Sequence, residues 1–151
     1  MQRLQQKPVL FIDDKPTIVS GYRAVIMKNT PNLPSFLWTS LEEAWSKFNQ
    51  PGTSPATFAV ILLDLHIPPL PPALKEYERK LGGVGQNHGQ ALGIWLSEKH
   101  PVVPYGYLSV VPNAFNCEKD PMGVNRVVIN KNTTKPSQFL AEIERIFTQY
   151  P

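Results

Sequence analysis

The chain has a single cysteine, Cys117, in 151 residues. An internal disulfide is therefore excluded, which fits a reducing compartment, and a buried or half-buried structural thiol is the role expected of it. Basic runs are missing as well. The fifteen Lys and Arg are scattered against twelve Asp and Glu, for a formal charge of +3, and without a basic stripe nucleic-acid binding has little support. No stretch approaches the ~18 apolar residues that a membrane span needs. The opening Met-Gln-Arg-Leu-Gln-Gln-Lys lacks the apolar core of a signal peptide. The expectation is a soluble, cytoplasmic protein that binds neither nucleic acid nor membrane, folded as one domain over residues 1–151. Proline runs the other way: its 16 copies are about double the usual share.

Aspartate is scarce, and its placement is informative. Only four occur, and three of them end two apolar runs. Phe58-Ala59-Val60-Ile61-Leu62-Leu63 closes on Asp64, and Val9-Leu10-Phe11-Ile12 closes on Asp13-Asp14. Short apolar runs rich in Val and Ile read as strands buried on both faces, as in the centre of a parallel sheet. Ligands collect at the carboxyl edge of such sheets. If the two strands are parallel neighbours, Asp13, Asp14 and Asp64 converge, and their mutual repulsion calls for a cation. Hard oxygen ligands with room for water suit Mg²⁺.

Taken in order, a strand over 8–12 leads to a helix from Pro16 to near Asn29, with Ile18, Tyr22, Val25 and Ile26 on one face. A strand over 35–39 precedes a helix from Leu41 to Phe48, capped by Thr39 or Ser40, with Glu42 and Glu43 favoured by the dipole in its first turn. The strand ending at Asp64 follows. This βαβαβ alternation implies a parallel sheet covered on both faces. Residues 68–88 break the rhythm. Pro68 to Pro72 reads as a polyproline II spacer, Ala73 to Leu81 as two turns of charged helix, and the glycines of 82–89 as a segment with little means of holding one conformation. The glycine run follows no strand and matches no phosphate-loop pattern. A helix over 90–100 presents Leu92, Trp95 and Leu96. A fourth strand over 105–109 ends on Ser109, and a fifth over 126–131 ends on Lys131. Between them Pro112, Pro121 and Gly123 confine any helix to about 113–120. The last helix starts near Pro136, with Thr134 as its expected cap, and aligns Phe139, Leu140, Ile143, Ile146, Phe147 and Tyr150.

The strand ends thus present Asp13-Asp14, Asp64, Ser109 and Lys131, in that order, with Asp64 in an Asp-x-x-x-Pro context. This set resembles the receiver domain of two-component response regulators, the CheY-like fold, over nearly the whole chain. The resemblance implies a doubly wound (βα)5 domain of strand order 2-1-3-4-5, with an insertion at about 68–88 between strand 3 and helix 3. It implies a phosphoacceptor switch, not an enzyme beyond self-catalysed phosphorylation and dephosphorylation. In that reading Asp64 is the phosphoacceptor. Asp13, Asp14, Asp64 and the His66 backbone carbonyl hold Mg²⁺, and Ser109 and Lys131 receive the phosphoryl oxygens. The implied partners are a histidine kinase or histidine phosphotransfer protein and an unknown downstream protein. His66 contributes only its backbone, and His88 and His100 are assigned no role.

Several positions depart from the family's pattern. Lys15 follows the acid pair where an acidic or polar residue is usual, and an outward side chain is expected of it. Val128 stands where an aromatic switch residue is usual. Asn132 follows Lys131 in place of a cis proline, and a non-proline cis bond costs about 2.5–4 kcal/mol, so a trans or strained bond is expected. These departures keep a second reading open, a phosphorylation-independent binding module. A Mg²⁺-dependent phosphohydrolase is a third, weakened because Lys15 stands where the haloacid-dehalogenase-type signature needs its second Asp. The insertion is expected to cover part of the Asp64 pocket, with a glycine hinge at 82–85. The main reading requires that Asp13, Asp14, Asp64, Ser109 and Lys131 meet in one pocket and that Asp64 be reachable from solvent.

Overall fold

Five short apolar runs become the strands of one parallel sheet: β1 (Val9–Ile12), β2 (Ser35–Trp38), β3 (Val60–Leu63), β4 (Tyr105–Ser109) and β5 (Val128–Asn130). The computed structural model describes residues 7–82 and 87–150. Strand order is β2-β1-β3-β4-β5, as the family resemblance implies, and every pairing is parallel, as the alternating sequence pattern predicts. Every residue of β1, β3 and β4 is buried, which is why these strands are apolar without alternation.

Helices α1 (Pro16–Asn29) and α5 (Pro136–Thr148) cover one face, and α2 (Leu41–Phe48) and α4 (His88–Lys99) the other, joined there by the short α3 (Lys75–Lys80). Alternate strand residues serve the two faces. Val9, Phe11, Val60 and Leu62 pack with Phe139, Ile143 and Ile146, and Phe139 lies between the rings of Phe11 and Tyr22. Leu10, Ile12, Ile61 and Leu63 pack with Leu41, Phe48, Leu92 and Leu96. Each such side chain contributes about 1.5–3 kcal/mol when fully buried. The α1 face centres on Val19, Tyr22 and Ile26, with Ile18 and Val25 only half-buried at its margins. Ser40 caps α2, its Oγ accepting from the Glu43 amide at 3.0 Å. The expected Thr134 cap of α5 is not used. Lys135 takes that place, and Gln138 Oε1 accepts from its amide at 3.0 Å.

The insertion is built into the core. Leu74, Tyr77 and Leu81 are buried against α4, and Lys80 pairs with Glu98 across the two helices. Helix α4 is consequently buried from His88 through Leu96 and starts two residues before the sequence predicts. Of the expected 82–85 hinge only Gly82, at φ 91°, lies within the described residues. No α-helix forms between β4 and β5. Three 3-10 turns, Pro112–Ala114, Cys117–Lys119 and Gly123–Asn125, replace the helix anticipated at 113–120. They are tied down by side chains. Gln90 hydrogen-bonds the Asn116 backbone in both directions, and buried Arg126 pairs with Asp120 at 3.0 Å while donating to the Tyr105 carbonyl and the Tyr150 hydroxyl. Arg126 therefore leaves the strand run predicted for it, and β5 begins at Val128. Similarly β3 begins at Val60, with Phe58 turned into the cluster of Trp38 and Phe48.

Candidate functional site

Register brings the acids together. Ile12 pairs with Leu63, so Asp13 and Asp64 leave adjacent strands at the same level. The ladder continues through both: the Asp13 amide donates to the Trp38 carbonyl at 3.0 Å, and the Asp64 amide to Ile12 at 2.9 Å. Carboxylate oxygens of Asp13, Asp14 and Asp64 all lie within 4.8 Å of one another. On the other side of β3, Ser109 pairs with Asn130, and the Lys131 amide donates to the Ser109 carbonyl at 2.9 Å. The Lys131 side chain then runs inward, fully buried, to an ion pair with Asp13 and to 3.4 Å from Asp64 Oδ2. Opposite charges about 4 Å apart attract by about 4 kcal/mol at an effective dielectric near 20, which is what makes these buried acids tolerable.

Four of the five predicted side chains converge directly: Asp13, Asp14, Asp64 and Lys131. Ser109 shares the rim and is fully buried, but its Oγ accepts from the Val111 amide at 3.0 Å, which leaves its own proton free to donate. Among the described residues no hydrogen bond is made to the His66 carbonyl. The His66 ring instead lies 5.5 Å from that of His88.

Lys15 overturns its expectation. Its ammonium turns inward, to 3.1 Å from Asp14 Oδ1 and 3.6 Å from Asp64 Oδ2. The cause is local. Its amide is held by Asp13 Oδ1 at 2.8 Å, and Pro16 behind it keeps the backbone out of the helical region, at φ −120° and ψ 79°. From there the flexible stem reaches back over the acids. The signal lay in the run Asp-Asp-Lys-Pro, which pins a lysine beside the carboxylates. Asp64 is 1% exposed. It is not open to solvent as the main reading requires, because Lys131 pairs with it from within and Lys15 from outside.

Burial, together with the charge of Asp64, pushes the Asp13 carboxyl up to about 6, against the opposing pull of Lys131. Partial burial lowers the Lys15 pKa, but the hydrogen bond its ammonium donates to Asp14 and the charges of Asp64, Asp14 and Asp13 outweigh it and leave the ammonium raised. The donor set fits a hard divalent cation. It consists of three carboxylates, one of which, Asp64, keeps a buried oxygen, Oδ1, with no hydrogen-bond partner among the described residues.

Elsewhere on the rim, the Lys131–Asn132 bond is trans; among the described residues the cis bond joins Pro68 and Pro69. Asn132 donates through its side chain to the Val110 carbonyl at 3.1 Å. Val128 is half-buried and pairs with Tyr107.

No family model matches the chain, and no curated protein matches it. Solved structures do. A response regulator receiver domain protein from Clostridium thermocellum superposes with a TM-score of 0.62 at 14% identity, over 95% of each chain. The receiver domain of the Francisella response regulator 1452 gives 0.63 at 16% identity, over 95% of this chain and 98% of that one. The chain has the receiver-domain fold. The response regulator RcsB of Salmonella typhimurium gives 0.64 at 13% identity over 97% of this chain, which spans 62% of the RcsB chain. The receiver fold thus accounts for the strand order and for the rim at which the acids meet. No helix among the described residues is long and apolar enough to cross a membrane.

Proposed function

We propose that this chain is the phosphoacceptor switch of a two-component relay, with Asp64, sealed here by Lys15 and Lys131, as the acceptor in an arrangement that opens it to solvent. One observation carries the reading: three strand-end aspartates and the buried ammonium of Lys131 meet at the carboxyl edge of a receiver-type sheet. A carboxylate oxygen of Asp64 attacks the phosphorus of a phosphohistidine on a histidine kinase or phosphotransfer protein. An O–P bond forms as the P–N bond breaks, and the imidazole departs. Positioning and charge neutralisation dominate such a transfer. Lys131 pairs with the incoming phosphoryl oxygens. Ser109, whose proton is free, donates to one of them after turning from the Val111 amide. Asp13, Asp14, Asp64 and the His66 carbonyl would hold Mg²⁺, which when bound neutralises charge on the transferring group. Drawing Ser109 and Lys131 toward the new dianion biases a surface read by a downstream protein. Such a switch acts in the cytoplasm, where its phosphodonor lies, and turns over no substrate beyond its own phosphoryl group.

Acetyl phosphate and beryllofluoride with Mg²⁺ test the reading by intact mass and fluorine resonance. A phosphoryl adduct and a beryllofluoride complex are expected, both lost in Asp64→Asn; no adduct on the native chain overturns it.

The sealed state of Asp64 favours a second reading, a receiver-fold binding module that works without phosphorylation. Val128 and the helix-free β4–β5 connection point the same way. Under that reading a partner binds the native chain and Asp64→Asn alike, before and after phosphodonor treatment.

A further inference from the structure

Of the two ammoniums at Asp64, only one can leave. Lys131 has a fully buried side chain, whereas the Lys15 side chain is 37% exposed. Its backbone is held between Asp13 and Pro16, so the four-carbon stem can swing outward without moving the strand end. Its ammonium takes the outer edge of the Asp14 and Asp64 carboxylates, where an approaching ion or phosphodonor would arrive. Three carboxylates against Lys131 leave two negative charges. Lys15 offsets one of them, and a divalent cation offsets both. The two cations therefore compete for the same oxygens, and holding both would overcharge the pocket. Asp64 Oδ1, buried and unpartnered among the described residues, is the atom that gains from the exchange.

We propose that Lys15 is a tethered counter-ion that plugs the acid pocket and must be displaced before a divalent cation or a phosphodonor reaches Asp64. This deepens the phosphoacceptor reading and rests on it. The plug makes the chain discriminate by charge: a divalent ion at sufficient concentration displaces the ammonium, and a monovalent one does not.

Mg²⁺ titration of the full chain by calorimetry, with thermal unfolding in parallel, tests this. Lys15→Gln should bind Mg²⁺ about tenfold tighter than the native chain. Lys15→Arg, which keeps the charge, should stay within about threefold of native. In thermal unfolding, Mg²⁺ should raise the Tm of Lys15→Gln by more than it raises the native Tm, and this readout serves even if the variant is destabilised without metal. Equal Mg²⁺ affinity in the native chain and Lys15→Gln, with Asp64→Asn binding more weakly than either, overturns the plug and leaves the acid site standing. Mg²⁺ that binds none of these proteins, or binds Asp64→Asn as well as native, overturns the site reading and the plug with it.

Discussion

Gly89, in the first turn of α4, lies against the backbone carbonyl of Asp64: a Cβ built on it would stand 1.7 Å from that oxygen. The Gly89 amide in turn donates to the Leu65 carbonyl at 2.9 Å. The start of α4 is thereby clamped directly behind Asp64, and only glycine allows that approach.

Gly89→Ala should therefore force the backbone apart, because the atom in the way is main chain and cannot rotate aside. A loss of about 1–3 kcal/mol in chemical denaturation is expected, and, under the proposed phosphoacceptor role, a slower reaction of Asp64 with acetyl phosphate. Native stability and native reactivity in the variant would show that the helix start yields freely.

Lys131 is the buried counter-charge to Asp13 and Asp64. Lys131→Met leaves two buried carboxylates facing each other without it, and a loss of roughly 3–5 kcal/mol follows. Mg²⁺ should restore part of that loss. Guanidinium unfolding with and without the metal measures both, and a loss below about 1 kcal/mol would mean that other groups neutralise the acids.

Arg126 holds the β4–β5 connection to the sheet by pairing with Asp120 and by stacking 3.8 Å over the Tyr105 ring. Arg126→Met should cost about 3 kcal/mol or more, since Asp120 stays buried and unpaired. Adding Asp120→Leu should recover a substantial part. A double-mutant cycle in urea reads the coupling, and simple additivity would contradict the pairing.

Burial and the neighbouring charge of His66 hold His88 below the ordinary imidazole value, with Glu78 opposing, and its Nδ1 is buried without a hydrogen-bond partner among the described residues. Its unfolded-state pKa, 6.5, therefore exceeds the folded one. The stability contribution is complete above that value and is lost as pH falls through it toward the folded pKa. Unfolding free energy measured from about pH 7.5 down to about pH 5 should fall less steeply in His88→Gln than in the native chain. Identical slopes would refute the assignment.

The sheet was legible because central parallel strands, buried on both faces, must be apolar throughout and can carry acids only where they end. The same reasoning located Asp13, Asp14, Asp64 and Lys131. It failed where a side chain's destination is set by a distant partner. Arg126 looked like the first residue of a strand, but its guanidinium belongs to Asp120. Lys15 looked solvated, but proline and the Asp13 carboxylate aim it inward. The 73–81 stretch looked like two turns of charged helix, yet Leu74, Tyr77 and Leu81 lie three or four apart and bind it to α4. That spacing was visible in the sequence and hidden by the surrounding prolines and charges.

Those three apolar residues act as a sole, and the upper side of the same helical segment carries Lys75, Glu76, Arg79 and Lys80, all exposed. This row is insulated from the strands by a full layer of packed side chains. Its charge order can be rewritten position by position while the acid pocket keeps its shape, so this flank of the molecule is free to diverge as the rim stays fixed.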